Sequence, residues 1–217
     1  MATPAAVIFD NDGLLLDTES VWTRGEADLF ARRGIEFTPE HKLELVGTSA
    51  QVAGALIGRR IGEPERAEAL VAELDELVYA ELDHGVEPMA GALELVAELR
   101  ALDVPIGLVS NSPPHFIARA LELVGLADGF GAVVSGHEVA APKPAPDAYL
   151  AACERLGIAA GPRAVVLEDS PTGVAAGVAA GLTVLGVPSV AGVELTEAHA
   201  VFASLTEAGL RERLGLS

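Results

Sequence analysis

Cysteine occurs once in the 217 residues, at Cys153, so no disulfide can form within the chain, which fits a reducing cytosol. Lysine and arginine together number 14 against 32 aspartates and glutamates, a formal charge of −18. A chain so poor in cations repels phosphate backbones and anionic lipid, which argues against nucleic acid and membrane surfaces as partners. No uncharged apolar run reaches the length of about 18 residues that a bilayer-spanning helix needs. The opening MATPAAVIFDND has no basic region and meets acid within its first ten residues, so it does not read as a signal peptide. None of the five histidines has metal-ligand spacing. There is no internal repeat and no low-complexity tract. These absences point to a cytoplasmic protein, with a monomer as the simplest expectation. What is present is ample for a core: 50% of the residues are hydrophobic and 21% charged, as in a folded globular chain rather than a disordered one.

Five short apolar runs end abruptly in polar residues or proline: Ala5–Phe9, Pro105–Val109, Ala132–Val134, Ala164–Leu167 and Thr183–Val187. Near-continuous Val/Ile/Leu runs without alternation predict strands buried on both faces of a parallel sheet. Between them, Ala90–Leu102, Pro114–Val124, Pro146–Leu156 and Thr172–Ala180 have helical periodicity and crossover length, and Gly125, Gly157 and Gly181 stand where left-handed caps are wanted. This alternation predicts an α/β fold with a doubly wound parallel sheet, whose ligands sit beyond the carboxyl ends of the strands. Leu16 to about Glu87 breaks the pattern. It carries helical periodicity in Ser20–Arg33, His41–Val46, Gln51–Arg60 and Glu65–Leu82, and it is far longer than a crossover requires. The expected organisation is a core of residues 1–15 and 89–217 with an inserted α-helical cap, residues 16–88. Past Pro188 the chain reads as loop and one helix, Leu205–Leu214.

Polar residues gather at four of the predicted strand ends. In Phe9-Asp10-Asn11-Asp12-Gly13 a buried strand runs into two carboxylates, and side chains two apart on a strand face the same way. Two close carboxylates repel unless a cation or a proton intervenes, which suits a metal site, an acid/base pair or a nucleophile beside a proton donor. The plainer reading is a polar turn. Ser110-Asn111-Ser112 follows a strand and precedes Pro113-Pro114 and a helix, where hydroxyls and free N–H groups bind anions; a simple serine cap is the alternative. Lys143, one of only two lysines, is pinned between prolines in APKPAPD, which either presents its ammonium with little entropy to lose or leaves it solvated. Glu168-Asp169-Ser170-Pro171 offers hard oxygen ligands of the kind Mg²⁺ prefers, or a helix cap ahead of a first-turn proline. A parallel sheet would gather the four at one edge, and acid, anion-binding and cation-binding groups together describe Mg²⁺-assisted phosphoryl transfer.

These four segments resemble the motifs of the haloacid dehalogenase-like (HAD) hydrolase superfamily, in its β-phosphoglucomutase and sugar-phosphatase branch. FDNDGLLLDTE is similar to the first motif, VSNS to the second, APKPAPDAY to the third and VLEDSPTGVAAGVAAG to the fourth, and the likeness spans the whole chain. The resemblance implies a Rossmann-like core, an aspartyl-phosphate formed on Asp10, and Asp12 as general acid and then base. It implies Ser110, Asn111 and Lys143 on the phosphoryl group, and Mg²⁺ on Asp10, the Asp12 backbone carbonyl, Glu168 and Asp169. The expected partner is a small phosphate ester. Asp12 speaks against a dehalogenase or phosphonate-cleaving enzyme, and Lys42 has no neighbourhood suited to a Schiff base. A hexose-phosphate mutase has a histidine where Trp22 stands and cap cations for a distal phosphate, which Val46–Ala50 and Leu74–Leu82 lack. Hydrolysis of a monophosphate is therefore the expected activity, with a mutase or a catalytically silent binding protein as rivals. Glu19, Trp22 and Thr48, in the cap, are the candidate specificity residues, although for Trp22 packing between helices is the favoured role. Cys153 and the other apolar positions read as core.

Overall fold

The computed structural model describes residues 3–45, 48, 50–190 and 192–216. The five apolar runs form strands β1 (Ala6–Asp10), β2 (Ile106–Ser110), β3 (Ala132–Ser135), β4 (Ala164–Glu168) and β5 (Thr183–Gly186). A two-residue strand, β6 (Ala200–Val201), stands where the sequence predicts loop, because two residues cannot display a period. The helices are α1 (Thr18–Ala31), α2 (Pro39–Leu45), α3 (Ala50–Ile61), α4 (Ala67–Glu81), α5 (Ala92–Ala101), α6 (Pro114–Leu123), α7 (Asp147–Arg155), α8 (Pro171–Ala179) and α9 (Ala208–Arg213). The last is shorter than the expected Leu205–Leu214. Glu65–Leu82 is broken into a 3₁₀ turn at Pro64–Arg66, α4 and a second 3₁₀ turn from Leu82.

All strand pairings are parallel, in the order β3-β2-β1-β4-β5-β6. This is the doubly wound order, in which the strand sequence reverses beside the first strand and opens a crevice at the carboxyl edge. β1, β2 and β4 are buried along their whole length, which is why their sequences lack alternation. The core below the edge includes Ile8, Val109, Val134, Tyr149, Cys153 and Val166.

Two compact units divide the chain, one of residues up to Asp17 and from Glu87 onward, the other Thr18–Val86. The boundaries fall two residues inside the expected 16 and 88. The reason is local: Leu16 bridges Pro88, and the Asp17 N–H donates to the Glu87 carbonyl at 2.8 Å, so both segments belong to the sheet unit. The second unit holds α1–α4. Its core includes Val21, Leu29 and Phe30 of α1 and Leu70, Leu74 and Val78 of α4, and α1 approaches α4 closely at Gly25, where a Cβ would lie 2.5 Å from Val78 Cγ2. Arg33 ties the unit together through Glu63 at 3.0 Å and Glu73 at 2.8 Å. None of the described helices is long and apolar enough to cross a membrane.

Candidate active site

The last residues of three adjacent strands, Asp10, Ser110 and Glu168, stand side by side because β1 lies between β2 and β4. Lys143 and Asp169 join them, and all five side chains are buried. The Lys143 ammonium finds three acceptors, Asp10 Oδ1 at 2.5 Å, Glu168 Oε1 at 2.7 Å and the Val109 carbonyl at 3.2 Å. Its three protons are thereby satisfied, which is what a buried ammonium requires. Burial works against the charge, but Asp10 and Glu168 outweigh it and hold the ammonium well above its ordinary range. The solvated-lysine reading does not apply.

Asn111 places that lysine. Its Nδ2 donates to the Lys143 carbonyl at 3.2 Å and its Oδ1 accepts from the Lys143 N–H at 3.1 Å, so the β2 loop grips the backbone of the lysine loop. Both ends of the amide are spent on this clamp, which leaves the Asn111 side chain a scaffold for Lys143. The clamp needs a glycine opposite: a Cβ at Gly136 would come within 2.6 Å of Asn111 Oδ1.

Asp12 is oriented by three donors. Ser110 Oγ and Ser112 Oγ donate to its Oδ2, the latter at 3.0 Å, and Asn11 Nδ2 donates to Oδ1 at 3.1 Å. Ser112 thus serves Asp12 instead of capping α6, which begins after Pro113 without a side-chain cap. Ser170 fills both roles foreseen for its segment. Its hydroxyl accepts from the Gly173 N–H, capping α8, while its own N–H and Oγ donate to Glu168 Oε2 at 3.1 and 3.0 Å. Two side-chain partners escaped sequence reasoning, Tyr149, which donates to Glu168 Oε1 at 2.8 Å, and Ser189, which donates to Asp169 Oδ2 at 2.6 Å. Two glycines are part of the same construction. A Cβ at Gly173 would lie 1.6 Å from Glu168 Oε1, and one at Gly13, where φ is +85°, would lie 2.4 Å from Asp169 Oδ2.

Electrostatically the edge is short of positive charge. One oxygen each of Asp10, Glu168 and Asp169 lies within 4.8 Å of the other two, and Lys143 is the ammonium set against them. Burial first, then the Glu168 charge, pushes the Asp169 carboxyl up to about 7, the Ser189 hydrogen bond opposing. Burial also drives Asp10 well above the usual carboxylate range, against the pull of Lys143. Three buried carboxylates with unneutralised charge and hard oxygen donors fit a divalent cation of the Mg²⁺ type.

Glu19, Trp22 and Thr48 belong to the helical unit. Glu19 pairs with Lys42 at 2.9 Å, and Lys42 also reaches Glu26 at 3.0 Å. Glu26 is buried, and its carboxyl is raised by that burial against the opposing Lys42. A Lys42 held between two carboxylates is an ion-pair element, in agreement with the absence of any Schiff-base setting. Thr48 turns back on α2, its Oγ1 donating to the Leu45 carbonyl at 2.8 Å. Trp22 is half-buried in α1. Of Val46–Ala50, the residues Val46, Gly47 and Ser49 lie outside the described residues.

Known proteins resemble this chain in sequence and in fold. Hexitol phosphatase B of Escherichia coli O157:H7 is 32% identical, with 99% of this chain and 100% of that protein covered. The crystal structure of CbbY from Rhodobacter sphaeroides in complex with phosphate superposes with a TM-score of 0.84 at 25% identity, covering 99% of this chain and 100% of that one. A HAD family hydrolase from Deinococcus radiodurans R1, with bound phosphate and sodium, is 31% identical at a TM-score of 0.76, covering 99% and 96%. The family model for haloacid dehalogenase-like hydrolases matches residues 4–181, a span that includes β1 to β4 and every residue of the acidic edge described above, and the chain belongs to that family.

Proposed function

We propose that the protein is a Mg²⁺-dependent phosphatase that hydrolyses a small phosphomonoester, a sugar or polyol phosphate, through an aspartyl-phosphate on Asp10. The observation that carries the reading is the buried Asp10 carboxylate with the Lys143 ammonium and the Asp169 and Glu168 carboxylates at one sheet edge. Asp10, Asp169 and Glu168 with the Asp12 backbone carbonyl would hold Mg²⁺. When bound, the ion supplies the positive charge that lets one anion approach another. Lys143, the Ser110 hydroxyl and the Asn111 N–H would take the phosphoryl oxygens. Asp10 attacks phosphorus as the bond to the ester oxygen breaks, and Asp12 gives that oxygen its proton. Asp12 then accepts a proton from water as the water attacks phosphorus, which frees phosphate and restores Asp10. With the Ser110 proton turned to the phosphoryl group, Ser112 and Asn11 keep the Asp12 carboxyl aimed during both transfers.

The helical unit is proposed as the substrate-selecting cap, with Glu19, Trp22 and Thr48 as its determinants. A substrate with a second phosphate is disfavoured. Arg24, Arg32, Arg33, Lys42, Arg60 and Arg66 are each already paired with a carboxylate of the same unit, so of its described lysines and arginines all but the exposed Arg59 would have to give up a partner to a distal phosphate. This favours hydrolysis over phosphate transfer within one sugar. The test is phosphate release by purified protein over a metabolite panel, with Mg²⁺ and with EDTA. Release from monophosphates that stops in EDTA is expected. With β-glucose 1-phosphate and a bisphosphate primer, formation of glucose 6-phosphate without free phosphate would replace this reading by the mutase, and silence on every ester would replace it by a binding protein.

Asp12→Asn should lower turnover on the order of 10²–10⁴-fold while calorimetry still detects Mg²⁺, since the residue's metal contact is its backbone oxygen. A wild-type rate would remove Asp12 from its role.

Metal also enters through stability. The Asp169 carboxyl titrates near 7 in the folded chain against 3.8 ordinarily, so the metal-free fold keeps this proton where the unfolded chain has lost it. Raising the pH between those values therefore destabilises the fold, and the loss is complete above about 7. In EDTA the melting temperature should fall from pH 5 to pH 8, and Mg²⁺ should raise it more at pH 8 than at pH 5. Equal Mg²⁺ shifts at both pH values would place the ion elsewhere.

A further inference from the structure

Tyr149, in the first turn of α7, is fully buried and is the largest side chain so buried. Its bulk fills the core, but its hydroxyl is not needed for that, since phenylalanine would occupy the same space. The hydroxyl donates to Glu168 Oε1 at 2.8 Å, the oxygen that also takes Lys143, and the ring centroid lies 5.0 Å from Lys143 Nζ. Glu168 therefore accepts four hydrogen bonds, from Lys143 and Tyr149 on Oε1 and from the Ser170 N–H and hydroxyl on Oε2. That number matches the lone-pair positions of a carboxylate, so the group cannot turn without losing partners. One of the four is conditional: Lys143 has other acceptors, and when an incoming anion takes its protons Oε1 has a lone pair free for a cation. The phenol makes this single hydrogen bond among the described residues.

We propose that Tyr149 is a positioning residue whose hydroxyl keeps Glu168 turned toward Asp10 and Asp169, and that it thereby sets the affinity of this edge for a divalent cation. The proposal rests on the metal-binding part of the reading above and not on the ester hydrolysed. Groups that orient the residues around a metal are typically worth about 10–100-fold in affinity or activity.

The experiment is Tyr149→Phe in the full chain, which keeps the ring and removes the hydroxyl. Calorimetry with Mg²⁺ alone should show affinity weakened about tenfold, with the melting temperature in EDTA close to wild type. On an aryl phosphate at saturating Mg²⁺, kcat should fall about tenfold with KM nearly unchanged, the mark of a group that shapes the reacting arrangement rather than substrate binding. Unchanged Mg²⁺ affinity overturns the proposal, and so does loss of the fold, which would make the hydroxyl a packing element. If affinity falls as expected but neither protein releases phosphate, the positioning role stands and the phosphatase reading fails. No Mg²⁺ binding by the wild-type chain overturns both.

Discussion

Asp10→Asn should reduce Mg²⁺-dependent phosphate release on the order of 10⁴–10⁶-fold, the scale seen when a covalent nucleophile is removed. The amide matches the carboxylate in size and still offers an oxygen to Lys143, so the end of β1 is not remodelled. What is lost is the anion that bonds to phosphorus. The same substitution takes one negative charge from an edge that already holds Glu168 and Asp169 buried beside it. The metal-free variant should therefore melt at or above the wild-type temperature at pH 8. An inactive but stabilised protein is the specific expectation, measured by phosphate release and thermal denaturation on one preparation. Activity within an order of magnitude of wild type would sink Asp10 as nucleophile, and a large fall in melting temperature would show that the carboxylate holds the fold together.

Lys143→Ala should do the opposite to stability. Removing one partner of a buried ion pair leaves uncompensated charge and costs about 3–5 kcal/mol. At about 2–4 °C per kcal/mol for a chain of this size, the melting temperature in EDTA at pH 8 should drop by roughly 6–20 °C. Asp10 and Glu168 would then share a buried site with no cation between them. The drop should shrink at pH 5, where a proton can neutralise one carboxylate, and shrink again when Mg²⁺ is added at pH 8. A melting temperature that ignores the substitution at both pH values would contradict the burial of the pair. Phosphate release should be lost in either case, since the phosphoryl oxygens lose their ammonium.

Much of the edge was legible because strand ends are the easiest boundaries to read. Val-Ile-Phe before Asp10, Leu-Val before Ser110 and Val-Val-Leu before Glu168 are abrupt changes of polarity, and in a parallel sheet these become neighbours. The supporting shell was not legible. Tyr149 sits in a helix where an aromatic reads as core, which it also is, and only the direction of its hydroxyl shows the second role. Ser189 lies in a loop twenty residues beyond its partner and carries no periodic signal. The glycines at 13 and 173 could be taken for turn and helix filler, whereas each leaves the space into which a carboxylate presses. For Asn111 the resemblance supplied the right neighbourhood and a partner on the phosphoryl group, while the structure shows its side chain engaged with the Lys143 backbone.

The position of β1 in the sheet has a consequence for the growing polypeptide. β1 leaves the ribosome before the other strands of its sheet, yet one of its edges is closed by β2 and the other only by β4, Ala164–Glu168. Until that late segment is translated, an apolar strand tipped with acid has a naked flank, open to wrong partners and to aggregation. Maturation of the protein therefore waits on its distal half, and nascent chains arrested between β3 and β4 should be the ones that most need chaperones.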